Sequence, residues 1–113
     1  MHEHHAVQNL VNQAIEQANK NSSKKVVKVV FALGDMVGFD DGSINLYYEQ
    51  MVEGTPLEKA VLEIKHYKPK LQCKDCSSIF EDHKREFKCP SCSSISLSVC
   101  GGKEFALERI DFE

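Results

Sequence analysis

Apolar side chains at the start of the chain fall at Val7, Leu10, Val11, Ala14, Ile15 and Ala18, the i, i+3, i+4 stripe of a helix that turns one face to a core. The stripe predicts a helix from Glu3 to about Asn19, with Glu3 in the first turn, where the helix dipole favours a carboxylate. The period then changes. KVVKVVFAL, residues 25 to 33, is rich in β-branched side chains, stops at Gly34-Asp35 and reads as a buried strand. Gly38, Asp40, Asp41 and Gly42 mark a loop, and Ser43 is the expected N-cap of a second helix. Its apolar face is Ile44, Tyr47, Tyr48, Met51 and Val52, and Gly54 is its stop. AVLEIKHYK, residues 60 to 68, alternates, with Leu62, Ile64 and His66 on one face, and is ended by Pro69; FALERIDF, residues 105 to 112, is a third strand.

Residues 71 to 99 follow neither period for long and are organised by cysteines instead. The sequence reads Cys73-Lys-Asp-Cys76, twelve further residues, then Cys89-Pro-Ser-Cys92, with Cys100 outside the set. Two C-x2-C knuckles at that separation are the spacing of a ribbon that closes four thiolates around one tetrahedral Zn(II). Four thiolates leave no open coordination position, so the ion is structural. A pair of disulfides is the competing reading, and a reducing compartment disfavours it. A thioredoxin-like redox motif needs one C-x-x-C opening a helix in a βαβ unit, which is not the pattern here. A ribbon of about thirty residues buries too little apolar surface to fold unaided, so zinc supplies its folding free energy. Ile79, Phe80, Phe87, Ile95, Leu97 and Val99 are the side chains available for a minimal core, and Cys100, before Gly101-Gly102, reads as a free, partly buried thiol at a turn.

The fold class is therefore α+β, a small core of two helices and three strands with a four-cysteine zinc ribbon inserted before the last strand. The expected domains are residues 1–70 plus 101–113 for the core and 71–100 for the ribbon. Composition agrees with a folded chain: of 113 residues, 42% are hydrophobic and 27% charged, which sets disordered and fibrous classes aside. No apolar run approaches the roughly 18 residues that span a bilayer, and no leader pattern opens the chain, so the expectation is a cytoplasmic protein without membrane attachment.

Net charge is −3, spread without a strongly basic segment. Proteins that track phosphates rely on clustered Lys and Arg, and the one local cluster, Lys24, Lys25 and Lys28, reads as a solvated turn. Nucleic acid is accordingly not an expected partner. A P-loop is absent, as is a nucleophile with an oriented base, so the chain is not expected to be an enzyme.

Three of the five histidines lie in the opening MHEHH. With Met1 as the first residue, His2 can offer its imidazole, its own amide and the terminal amine as adjacent chelate rings. A planar nitrogen set of that kind suits Ni(II), with Cu(II) as competitor, and not the tetrahedral preference of zinc. His4 and His5, on the first helical turn, either raise local metal affinity or face water, and His66 reads as a core or edge histidine.

Met-His-Glu at the N-terminus, a helix with an α/β core, C-x2-C-x12-C-x2-C and a closing strand together resemble the HypA/HybF family of nickel metallochaperones, over the whole chain. The resemblance implies Ni(II) bound by the His2 side chain, the amine of Met1 and the backbone amides of His2 and Glu3, with a carboxylate from the loop after the first strand, here Asp40. Asp40 also suits a turn residue ahead of helix two. The resemblance further implies delivery of nickel during maturation of nickel-iron hydrogenase, and of urease in some bacteria. Its implied partners are the GTPase HypB, the hydrogenase large-subunit precursor and urease maturation proteins, with a monomer and a homodimer both compatible with the sequence. Several members flank the zinc knuckles with histidines. Here Ser77, Ser78, Ser93 and Ser94 stand there, and only His83 lies inside the loop. The alternative function is a zinc-ribbon module that binds nucleic acid or protein in transcription or RNA metabolism. It explains the cysteines but not His2, and Lys84, Arg85 and Lys88 are offset by Glu81, Asp82 and Glu86.

Overall fold

A computed structural model describes residues 2–82 and 86–113, and of His2 the backbone alone. The chain divides into two compact units, one of residues 1–32, 39–65 and 105–113, the other of residues 33–38 and 66–104.

The first unit is built on helix α1, His2–Lys20, and helix α2, Asp41–Val52. Val7, Leu10, Val11, Ala14 and Ala18 of α1 are buried, so the predicted stripe is the face that packs, and it meets α2 and the last strand. Strand β1, Val26–Gly34, is the middle of a three-stranded sheet ordered β2-β1-β6, with β2 at Val61–Tyr67 and β6 at Phe105–Phe112. Its continuous apolar run from Val29 to Leu33 is buried throughout, as a central strand covered on both faces requires. Phe31 anchors this core, edge-on to Tyr48 at 6.0 Å and to Phe105 at 5.7 Å between ring centroids.

Helix α2 begins earlier than its sequence suggests. Asp40, not Ser43, is the N-cap: its backbone is extended and its carboxylate accepts from the Ser43 N–H at 3.1 Å. Aspartate caps as well as serine does, and the start at Asp41 takes Gly42 into the first turn. The helix ends as expected, with Gly54 at φ +78 just past Glu53 and the Val52 carbonyl accepting from the Thr55 N–H and hydroxyl. The edge strand β2 carries His66 exposed, not against the core, with Nδ1 3.6 Å from Asp35 Oδ1.

The second unit holds the cysteines on an antiparallel sheet ordered β4-β3-β5, with β3 at Lys70–Cys73, β4 at Ile79–Glu81 and β5 at Leu97–Gly101. Leu71 of the middle strand pairs with Phe80 on one side and Val99 on the other and is buried. Within the same unit, a Cβ added at Gly34 would stand 2.1 Å from the Gly102 carbonyl oxygen, so that approach admits only glycine. The core of the ribbon is not the apolar cluster expected from its sequence. Ile95 is 82% exposed, Ile79 61% and Phe87 46%; the buried apolar side chains among the described residues of the ribbon are Leu71, Cys73 and Cys89. Cys100 is likewise exposed and lies within β5 instead of being half-covered at a turn.

Candidate metal centres

Each C-x2-C knuckle is a tight turn closed by backbone hydrogen bonds, and the two repeat one another. In the first, Cys73 N–H donates to Ser78 O at 2.9 Å and Ser77 N–H to Cys73 O at 3.0 Å; in the second, Cys89 N–H donates to Ser94 O and Ser93 N–H to Cys89 O, both at 2.9 Å. Ser77 and Ser93 take the left-handed conformation, φ 64 and 65, which folds each turn back under its sulfurs.

The turns bring four sulfurs together. Cys73 Sγ is 3.5 Å from Cys92 Sγ, Cys76 Sγ is 3.5 Å from Cys89 Sγ, and all four lie within 4.8 Å of one another. Zn–S bonds of about 2.3 Å at tetrahedral angles place sulfurs about 3.8 Å apart, so the tetrad fits a structural zinc ion. Among the described residues no other group of three or more His, Cys, Asp or Glu side chains converges so closely. The N–H groups of Cys76 and Asp75 both approach Cys73 Sγ at 3.4 Å and hold its thiol below the usual range, the Cys76 amide most. Ser78 Oγ, 3.2 Å from Cys76 Sγ, and the Ser78 amide pull that thiol down to about 6. For Cys92 the Ser94 amide acts in the same direction, but the sulfurs of Cys73, Cys76 and Cys89 and burial outweigh it and push the thiol up to about 12. A metal needs these sulfurs as thiolates, so the tetrad binds one by expelling the protons it still carries. Asp82, the buried carboxylate of this unit, accepts from the N–H groups of Glu86 and Phe87 at 3.1 and 3.3 Å and shapes the approach to the second knuckle; its role was not legible in the sequence.

The second candidate centre is in the first unit. Helix α1 starts at His2, and the Asp40 N–H donates to Glu3 Oε2 at 2.9 Å. Two of the expected nickel residues, 37 positions apart, therefore meet where α1 and α2 begin. The Asp40 carboxylate is engaged in its cap. His4 is exposed and edge-on to Tyr47, with 5.2 Å between centroids, and His5 is exposed. Met1, the His2 side chain and His83 lie outside the described residues.

A thiolate tetrad on a small ribbon, joined to an α/β core whose first helix opens with a histidine, defines a small metal-handling protein of mixed architecture. Comparison with known proteins specifies it further. The family model described as "Hydrogenase/urease nickel incorporation, metallochaperone, hypA" matches residues 1–112, and the chain belongs to that family. It is 35% identical over 114 residues to the hydrogenase maturation factor HypA of Caldanaerobacter subterraneus subsp. tengcongensis, covering all of both chains. It is 31% identical to that of Aquifex aeolicus, covering 100% of this chain and 98% of the other. Among solved structures, the Ni metallochaperone HypA from Helicobacter pylori superposes with a TM-score of 0.71 at 28% identity over 97% of this chain and 96% of that one. The family is one of nickel metallochaperones for hydrogenase maturation, and membership does not favour the nucleic-acid module. Among the described residues, no helix is long and apolar enough to cross a membrane.

Proposed function

We propose that this chain carries Ni(II) as cargo on its N-terminal segment, with His2, Met1 and Glu3 as ligands and Asp40 in support, while Cys73, Cys76, Cys89 and Cys92 hold Zn(II). The observation that carries the reading is the hydrogen bond from the Asp40 amide to the Glu3 carboxylate. It ties the start of α1 to the cap of α2. The first amides of a helix have no acceptor within it, so the His2 and Glu3 nitrogens can turn to a metal without breaking helical bonds. Ligands at a helix end can also be displaced one at a time by an acceptor, and protons compete for the amine and imidazole, so affinity falls with acidity.

On this reading the ribbon, residues 71–100, is the zinc-dependent domain and the remainder the nickel domain. The recipients and partners are those of hydrogenase maturation: the GTPase HypB supplies the energy input, and the nickel-iron hydrogenase large-subunit precursor receives the metal, with urease maturation proteins as a second route. The protein acts in the cytoplasm and performs no catalysis itself.

The test is calorimetric titration of Ni(II) into tag-free, zinc-loaded protein beside His2→Ala and Asp40→Asn. Stoichiometric binding lost with His2 while zinc stays in place supports the reading. Asp40→Asn keeps the cap, because asparagine caps as well, so a weakened nickel affinity in that variant assigns the carboxylate to the metal. Equal binding by wild type and His2→Ala overturns the proposal.

A further inference from the structure

At the far end of α2 from the nickel segment, the helix runs out into a cleft of about 410 Å³ lined by Tyr48, Glu49, Val52, Glu53, Glu58 and Ala60. Two observations there are independent of one another. The first is charge. Glu49 lies in the last turn of the helix, Glu53 is its C-cap, Glu58 joins them from the following turn with one carboxylate oxygen accepting from the Gly54 N–H, and Lys59 is the sole basic residue between Tyr48 and Ala60. The last turn of α2 contains no basic residue, so the negative end of its dipole adds to the three carboxylates and is not neutralised by the helix itself.

The second is a polar atom with nothing to bind. Tyr48 is 3% exposed, and its hydroxyl is the one buried side-chain N or O atom without a hydrogen-bond partner among the described residues. Burial pushes the phenol up to about 12, so it stands as a neutral donor and acceptor at physiological pH. Leaving such a group unsatisfied costs about 1 to 3 kcal/mol, and a ligand in the cleft that supplies an N–H would remove that penalty on binding.

We infer that this cleft receives an arginine side chain of a partner polypeptide, the guanidinium lying among Glu49, Glu53 and Glu58 and donating to the Tyr48 hydroxyl. The carboxylates do not converge into a metal-type cluster, the cysteine tetrad being the one such group among the described residues. Widely set acceptors suit a planar cation with five donors better than a compact ammonium. Charge complementarity and the unsatisfied hydroxyl together select that chemistry, and neither depends on the nickel ligands.

The experiment titrates hexa-arginine, with hexa-lysine in parallel, into the zinc-loaded full chain at low salt, followed by backbone amide NMR and fluorescence anisotropy. Shifts confined to residues 48–60, and hexa-arginine binding several-fold tighter than hexa-lysine, are expected. The double variant Glu49→Gln/Glu53→Gln should weaken hexa-arginine by about tenfold or more. The charge-matched surface pair Glu16→Gln/Glu113→Gln should change it less than twofold. Tyr48→Phe should weaken it about threefold to tenfold while leaving the melting temperature unchanged or higher, a split that a purely structural hydroxyl would not produce. Equal losses in the two double variants, shifts elsewhere in the chain, equal binding of hexa-lysine, or an unaffected Tyr48→Phe would each overturn the inference.

Discussion

The two units solve the same problem by different means. The α/β unit buries Phe31, Ile44, Leu57 and a run of valines against one another, and its fold follows from the removal of apolar surface from water. The ribbon buries Leu71 and two of its own sulfurs, while Ile79, Phe87 and Ile95 stay exposed. Its order comes from two knuckle turns and the ion their thiolates fit. One unit is held by many interchangeable contacts, the other by a few specific ones, so their responses to perturbation should separate.

The largest expected separation comes from metal removal. Chelation of zinc, or Cys89→Ala, should cost the ribbon on the order of 10 kcal/mol of apparent folding free energy. Hydrogen exchange should rise to unprotected rates across residues 66–104 while the amides of α1 and β1 stay protected; uniform loss of protection in both units would break the comparison. The reciprocal change is Phe31→Ala, which should cost the first unit about 3 to 5 kcal/mol. It should lower its melting transition and leave the stoichiometry of bound zinc unaltered by metal analysis.

Alkaline titration separates the units through Tyr48. Its folded pKa of about 12 lies above the ordinary 10.0, so the associated stability is fully present below pH 10 and is lost as pH rises through 12. The loss is about 3 kcal/mol, seen as a steepened pH dependence of urea unfolding in the first unit and abolished in Tyr48→Phe. The smallest effect is a gain. Ser93 holds φ 65, and Ser93→Gly should relieve the left-handed strain and raise the ribbon's resistance to chelators by roughly 1 kcal/mol.

How far the fold was legible follows the same division. In the first unit the apolar stripe of α1 and the β-branched run of β1 named the buried residues directly, because periodicity is itself a record of which face meets the core. Errors there were local: Asp40 and Ser43 are both good caps, and only the carboxylate's reach to the Ser43 amide chose between them. In the ribbon, hydrophobic residues misled. Ile79 and Ile95 read as core, but the sheet is too small to cover them once the sulfurs occupy the centre. Cys100 misled similarly, since its strand position leaves it at the surface.

By itself the sequence determined the order of helices and strands in the first unit, the thiolate tetrad and the histidine-rich MHEHH segment, because periodicity, C-x2-C spacing and residue chemistry are local properties of the chain; the three strands of the ribbon it did not show. Only the tertiary structure decided that the Asp40 amide meets Glu3, that Ser77 and Ser93 adopt positive φ, and that the Tyr48 hydroxyl is buried without a partner among the described residues. Each of those depends on groups distant in sequence, or on a backbone conformation that residue identity does not specify, and so each appears only when the chain is folded.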